Sequence, residues 1–453
     1  MSFAPARFNG RRGDGDDLIF KHSLGTTQMN RLLNTLAVTV SALAVAGAAN
    51  AQNLVITGGR IITGTGQVIE KGSVVVTDGK ITKVAEGPAG PAPKGAKIIN
   101  AAGMTLIAGY IDDHRHIIQG RDPAGVAKFM QEQAATEMRE LLESGVTTVQ
   151  SGGDDTEALL QLKKMIETGQ MKGPRIITSD RVRPGSLPDE AAVRAAVDKA
   201  HAKGVDSLAE IIFPMQMEPR ANAPTEDETN KLKAALDEAA KFHMPVQVHA
   251  VSTVAMDAAV KAGVKKLVHT PHFAWVTDEE AKAVAAAGAQ VSSCTGYGAP
   301  VFAVFNHDNK PTFLDGAPWP QGVRMGEGGG REAGYKPVNG RTLFDNGVDY
   351  GYCTDTAYNA LETMATELRV LNLTFSPIDL IKVMGQNSAD FIDRGKELGT
   401  LETGKQGDIL VLGGNPLDGY WNFMTAEMVV KGGVVMIDKR GQPGAGKPII
   451  HNP

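Results

Sequence analysis

Ile111-Asp112-Asp113-His114-Arg115-His116-Ile117 (IDDHRHI) follows directly on the apolar run TLIAGY. Two histidines and two aspartates leaving a segment that reads as a buried strand need a compensating partner, because a buried polar group loses its water without replacement. In an extended strand residues i and i+2 face the same way, so His114 and His116 point together to one side while Arg115 points elsewhere. A metal ion held between the two imidazoles supplies the compensation. The stretch therefore reads as the end of a first buried strand and as half of a metal clamp.

Working outward, the middle of the chain alternates strand-like and helix-like text. The strand candidates are LIAGYID, TTVQSG, RIITSD, SLAEIIF, VQVHA, KLVHT, QVSSCT and DYGYCTD, most followed by an amphipathic segment such as EALLQLKKMIETG or EAAVRAAVDKAHAKG. Eight such units over roughly 290 residues fit a (β/α)8 TIM-like barrel, whose usual size is about 250 residues before insertions. A doubly wound open sheet is the alternative, and it lacks a G-x-G-x-x-G turn after the first strand. Short β-like pieces with Gly and Asp-Gly turn signals occupy both ends, LVITGGRIITG and SVVVTDGKITKVAE before the barrel and GDILVLGG and AEMVVKGGVVMI after it. They suggest a small β-sandwich built from both chain ends. The expected boundaries are 52–106 and 398–453 for the sandwich halves and 107–397 for the barrel, with an insertion at 296–346. That insertion shows no clear periodicity and reads as a lid over the strand ends, set against a disordered surface loop; Phe302, Phe305, Phe313 and Trp319 argue for packing.

Residues 1–51 stand outside this scheme. The first 28 are polar and read as a misplaced start; from Met29, Arg31, an apolar stretch Leu36 to Ala46 and Ala49-Asn50-Ala51 match a secretory signal peptide with cleavage near Ala51. Its apolar core is short for a membrane span, so export to a periplasm is expected, without stable membrane insertion. A net charge of −5 offers no field for nucleic acid or an anionic membrane. With two cysteines, Cys294 and Cys353, no disulfide framework holds the fold; they could pair once or remain buried thiols.

The remaining polar oddities fall at equivalent places. His249 ends the fifth strand candidate, His269 the sixth and Asp355 the eighth, while Glu210 lies within the fourth. Barrel enzymes assemble their sites from such strand ends, and imidazole and carboxylate are the ligands that zinc and similar ions prefer. His114, His116, Glu210, His249, His269 and Asp355 are the candidate ligands. Glu210 is assigned by strand parity: facing inward it would bring Leu208 and Ile212 inward too, whereas facing outward it would be buried against apolar helices. His272, in HTPHF, either orients a substrate or caps its loop. Tyr297 and Arg324, in the insertion, are candidate substrate contacts set against ordinary loop residues. Asp112 and Asp113 are candidates to orient the histidine rings, with one of them set against capping or solvating its loop instead.

In this order of motifs the chain resembles the amidohydrolase superfamily of metal-dependent hydrolases. AGYIDDHRHI resembles the family's G-x-x-D-x-H-x-H start, PVQVHA and KLVHT its single-histidine strands, CTDT its terminal T-D, and NSADFIDRGKELGTLETGKQGDILVLGGNPLD the return to its sandwich. Within the superfamily it is most similar to the imidazolonepropionase-like and Xaa-Pro dipeptidase-like branch. Many relatives in that branch carry a carboxylated lysine on strand four, where GVDSLAEIIF places Ala209 with Glu210 beside it. The resemblance implies one or two divalent ions, zinc first among them, and a metal-activated water attacking an amide-type C–N bond. It implies that Asp355 carries the water proton to the leaving amine. The expected substrate is a small molecule: a dipeptide, an N-acyl amino acid or a cyclic amide. Carbamate, urea or lactone hydrolysis, deamination, and a non-catalytic metal- or ligand-binding homologue are the competing readings. No interface for a homo-oligomer can be read, and that possibility stays open.

Overall fold

Alternation of apolar residues builds the first sheet. In β2 (Val68–Thr77), Val74 and Val76 enter one apolar cluster with Leu54 and Ile56, while Val75 faces the other way against Val55 and Ala89. In the computed structural model, residues 52–120, 122–215, 222–296, 329–356 and 359–447 are described. The expected signal peptide therefore lies outside them, as do Tyr297, Arg324 and the four insertion aromatics.

β1 (Leu54–Ile62) pairs antiparallel with β2, and β2 with β3 (Lys80–Glu86). Asp78 and Gly79 join the last two with φ of 50° and 78°, the turn geometry that matches strand twist. β4 (Lys97–Asn100) and β5 (Thr105–Ala108) run parallel to β1.

The chain then enters its parallel region. β6 (Tyr110–Arg115), β7 (Val146–Ser151) and β8 (Arg175–Ile177) form one parallel sheet. β9 (Ser179–Arg181), β10 (Ser207–Ile212), β11 (Val246–His249), β12 (Lys266–Val268), β13 (Gln290–Ser292) and β14 (Tyr350–Gly351) form a second. β8 and β9 are separated by Thr178 alone, whose N–H and hydroxyl donate to Asp206 Oδ2 at 2.8 and 2.7 Å, so the third strand contributes to both sheets. Among the described residues no registered ladder joins β14 to β6. Two backbone bonds link the segments instead, Asp113 N to Tyr352 O at 2.9 Å and Asp355 N to His114 O at 3.0 Å.

Helices alternate with these strands: α1 (Pro123–Glu132), α2 (Ala134–Glu143), α3 (Thr156–Glu167), α4 (Glu190–Ala202), α5 (Glu226–Lys241), α6 (Thr253–Ala262), α7 (Asp278–Ala286), α8 (Gly329–Asp345) and α9 (Ala360–Leu371). Their starts follow local chemistry. Asp155 and Asp189 cap α3 and α4, and Thr225 with Glu228 and Thr277 with Glu280 form reciprocal capping boxes on α5 and α7. The outcome is a TIM-barrel-like α/β fold. One expectation needs correction: the interval 296–346 is not aperiodic throughout, because its last third is α8, which contains Pro337. None of the helices among the described residues is long and apolar enough to cross a membrane.

The chain returns through β15 (Ile409–Leu412), β16 (Ala426–Lys431) and β17 (Val434–Asp438). β15 pairs antiparallel with β5, so strands from both chain ends share one eight-stranded sheet in the order β17-β16-β15-β5-β1-β2-β3, with β4 on β1.

Arg115 does point away from the histidines. It is fully buried, donating to Thr354 Oγ1 at 2.9 Å and to Glu137 Oε1 of α2 at 2.8 Å. Removing one partner of a buried ion pair leaves the other charge uncompensated, at about 3–5 kcal/mol. Asp112 Oδ2, 4.0 Å from the guanidinium, is its other counter-charge, so Glu137→Leu is expected to lower the free energy of unfolding in urea by up to about 3–5 kcal/mol; an unchanged free energy would show that Asp112 alone suffices.

Candidate metal centre

Six polar side chains from five strand ends meet at one place. His114 Nε2 and His116 Nε2 each lie 3.5 Å from Asp355 Oδ1, so the two rings do face one side together. His249 Nδ1 lies 3.1 Å and His269 Nε2 3.3 Å from Glu210 Oε1, and His269 Nδ1 lies 3.8 Å from Asp355 Oδ2. His269 thus links the two carboxylates, and donor atoms of His114, Glu210, His269 and Asp355 all fall within 4.8 Å of one another. His116 flanks this group on the Asp355 side and His249 on the Glu210 side.

The backbone is bent to achieve this. Glu210, His269 and Asp355 have φ of 37°, 61° and 53°, conformations costing of order 1–3 kcal/mol each in non-glycine residues and kept only where surrounding structure enforces them. At Glu210 the cause is visible. The β10–β11 register runs Leu208↔Val246 and then Ile211↔Val248, three residues against two, so β10 carries a bulge at Ala209-Glu210. Contrary to simple alternation, Leu208 does not face inward with Glu210 but lies in the main apolar cluster with Val246 and Val248. The bulge, rather than alternation, turns the carboxylate into the site.

The electrostatics favour ionised carboxylates. Burial alone would raise Asp355, but the charges of His269 and His114 outweigh it and hold the carboxyl down at about 2. Glu210 is likewise buried, yet hydrogen bonding to His249 and His269 keeps it well below the usual carboxylate range. Burial pushes His114 down, and the adjacent Asp355 more than reverses this, carrying the imidazole up to about 9 in the metal-free chain. His272 goes the other way: burial, then the charge of Lys336, pushes it down to about 2, so it is neutral. The backbone N–H of His272 donates to Val251 O at 2.8 Å, tying the loop after β12 to that after β11.

Asp112 and Asp113 neither orient a histidine ring by a hydrogen bond nor cap their own loop; both carboxylates bond to other strand and helix segments. Asp112 accepts from Thr354 N and Oγ1 at 3.1 and 2.6 Å, anchoring the residue before Asp355. Asp113 accepts from Ser292 Oγ and Ser388 Oγ, and burial raises its pKa well above the usual carboxylate range. The ring orienters are residues that sequence reasoning missed. His114 Nδ1 donates to Gln247 Oε1 at 2.9 Å, and His116 Nδ1 to Asp154 Oδ1 at 3.2 Å; Asp154 is fixed in turn by Ile117 N and Ser151 Oγ. Gln247 had a readable signal, since it lies two residues before His249 on the same face. Asp154, in the loop after β7, had none.

Arg181 was also missed. Its Nη2 donates to Glu210 Oε2 at 3.0 Å and to Gly152 O at 3.2 Å, holding the carboxylate from the side away from the histidines. A groove of about 1150 Å³ opens beside it, lined by His116, Asp154, Arg181, Val126, Leu187 and Lys199 among others.

A divalent ion fits these donors. His114 Nε2 is buried with no hydrogen-bond partner although it faces the cluster, and two imidazoles and two carboxylates, flanked by the imidazoles of His116 and His249, suit zinc, manganese, cobalt or iron. Orienting partners of metal-binding histidines are worth about 10–100-fold in affinity. Gln247→Leu and Asp154→Asn are therefore each expected to weaken metal binding by about that factor, read by competition with a chromogenic chelator. Unchanged affinity in both would mean that the rings are held by strand packing alone.

The sequence profile of the amidohydrolase family matches residues 105–448. The imidazolonepropionase of Phocaeicola vulgatus is 23% identical over 445 residues, covering 85% of this chain and 99% of that protein. Among solved structures, a Xaa-Pro dipeptidase with methionine bound in its active site matches with a TM-score of 0.69 at 20% identity, covering 85% of this chain and 99% of that one. Phenylurea hydrolase B matches with a TM-score of 0.67 at 19% identity, covering 88% and 100%. At such identities these two structures share the fold with this chain.

Proposed function

We propose, from the premise that this chain belongs to the amidohydrolase family, that it is a metal-dependent hydrolase cleaving an amide-type C–N bond in a small molecule. The observation that carries the reading is the convergence of four histidines, Glu210 and Asp355 around a single point beside an open groove. One or two divalent ions, zinc by preference, would be held by His114, His116 and Asp355 on one side and by His249 and His269 on the other, with Glu210 between. Such an ion supplies Lewis acidity and lowers the pKa of bound water toward neutrality.

The chain's own groups do the rest. Asp355, held at about 2, is ionised at neutral pH and placed to accept a proton and pass it to a leaving amine. Arg181 fixes the Glu210 carboxylate, and His272, being neutral, can bond a substrate without repelling the cluster. The groove beside His116 would receive a dipeptide, an N-acyl amino acid or a cyclic amide. Around this site we read a closed (β/α)8 barrel with a β-sandwich built from residues 52–106 and 398–453. The backbone bonds between Asp113, His114 and the β14 segment support the first, and the β5–β15 pairing supports the second. We also read residues 29–51 as an export signal. A buried Cys294–Cys353 disulfide accords with an oxidising compartment.

The test is hydrolysis by the purified chain of a panel of dipeptides, N-acyl amino acids and cyclic amides, before and after chelation. Activity should vanish with the metal and return with zinc, manganese or cobalt. A chain with full metal occupancy that cleaves none of these bonds would overturn the reading in favour of a binding protein.

A further inference from the structure

Cys294 lies two residues past the end of β13, and Cys353 two residues past the end of β14 and two before Asp355. Their Cα atoms are 4.9 Å apart, both side chains are fully buried, and they are joined as a disulfide. The surroundings hold both segments in place. Cys353 N donates to Ser293 Oγ at 3.0 Å, Ser293 Oγ also reaches Glu367 Oε1 of α9 at 2.6 Å, and Thr295 N donates to the same oxygen at 2.8 Å. One further neighbour matters: a nitrogen of His269 lies within 4.8 Å of both sulfurs. The imidazole that links Glu210 to Asp355 thus also borders the disulfide.

A disulfide sulfur is a poor ligand, whereas a thiolate is among the strongest that a d10 ion meets. We infer that the Cys294–Cys353 bond guards the metal centre, and that opening it creates a second, three-donor site, Cys294–Cys353–His269, for a thiophilic ion such as zinc, cadmium or copper(I). The chemistry balances with a dithiol reductant. Two electrons and two protons pass from the dithiol to the protein, the S–S bond breaks, two thiols form, and the reductant closes to its own cyclic disulfide. A divalent ion then displaces the two thiol protons. Thiolates bind zinc at about 2.3 Å, which places the two sulfurs about 3.7 Å apart in a tetrahedral site, a spacing that strands 4.9 Å apart at Cα can supply by side-chain rotation. A nitrogen within 4.8 Å of both then needs only a small approach to become the third ligand.

His269 cannot serve both arrangements. With the bond closed it belongs to the group containing Glu210 and Asp355; with a soft ion on the thiolates it is drawn away, and hydrolysis falls. This second consequence rests on the hydrolytic role assigned to His269 above, whereas the existence of the thiolate site does not.

The experiment uses the full purified chain in three forms: oxidised, reduced with dithiothreitol and desalted without air, and the Cys294→Ser/Cys353→Ser double variant taken through the same reduction. Free thiols are counted, cadmium is added, and thiolate-to-cadmium charge-transfer absorption in the ultraviolet is recorded beside amide hydrolysis. The reduced chain should release both thiols and bind one additional cadmium ion with that absorption. It should also lose hydrolysis by at least the roughly 10–100-fold that losing a mere orienting partner of a metal ligand costs. The oxidised chain and the double variant should show neither the absorption nor the cadmium-dependent loss. Reduced chain without the absorption, or a bond that dithiothreitol does not open in the folded chain, overturns the site. Absorption with undiminished hydrolysis overturns the competition for His269. A chain that hydrolyses nothing in any form refutes the proposed function instead, and leaves the absorption to decide the site by itself.

Discussion

Asp355→Asn is expected to lower amide hydrolysis by about 10²–10⁴-fold, the range associated with losing a positioned proton-transfer group. Asparagine keeps the size of the side chain and an oxygen toward His114 and His116, but cannot take a proton at neutral pH. The backbone around it stays anchored, because Asp355 N donates to His114 O and Asp112 holds Thr354. The variant should accordingly fold with an unchanged unfolding midpoint and still bind metal, which separates a lost proton carrier from a lost site. Hydrolysis within threefold of wild type would remove Asp355 from the mechanism.

The second large effect concerns Glu210. Glu210→Ala removes the carboxylate that contacts His249 and His269 and leaves Arg181 facing the cluster without its counter-charge. If Glu210 bridges two ions, metal content measured by elemental analysis should fall from two ions per chain to one or none, with activity lost in proportion. The same metal content in both proteins would show that Glu210 is held by Arg181 for structural reasons alone. The pH dependence of metal binding gives an independent check. Metal requires neutral imidazole, and His114 is carried up to about 9 in the metal-free chain, so its proton must leave on binding. Affinity should therefore rise with pH across the interval from 7 to 9, by about tenfold per unit for the one proton displaced. In Glu210→Ala one of the negative charges that raises His114 is gone, so this rise should end at lower pH.

Much of this architecture could be read from local text because it rests on short-range rules. Alternation carries apolar residues to one face, Asp-Gly specifies a tight turn between β2 and β3, and Asp or Thr before an amphipathic run caps a helix. H-x-H at the end of a buried strand needs compensation wherever the strand lies, so His114 and His116 were legible before any contact was known. His249, His269 and Asp355 were legible because each ends a strand candidate, and parallel strands joined by helices bring such ends to one side.

What the chain alone could not disclose depends on where one strand lies against another. The bulge that turns Glu210 inward exists only in the register between β10 and β11, and alternation misassigned Leu208 for that reason. Asp154, Gln247 and Arg181 are ordinary polar residues until folding places them 3.2 Å, 2.9 Å and 3.0 Å from His116, His114 and Glu210. Cys294 and Cys353 stand 59 positions apart in the chain, and only the adjacency of β13 and β14 makes them a pair beside His269. The sequence by itself determined the order of strands and helices, the residue types of the candidate ligands and their place at strand ends, since these follow from patterns of a few residues. Tertiary structure decided which side chains orient the ligands, how Glu210 enters and what the cysteines border, because those depend on long-range register, which no local pattern encodes.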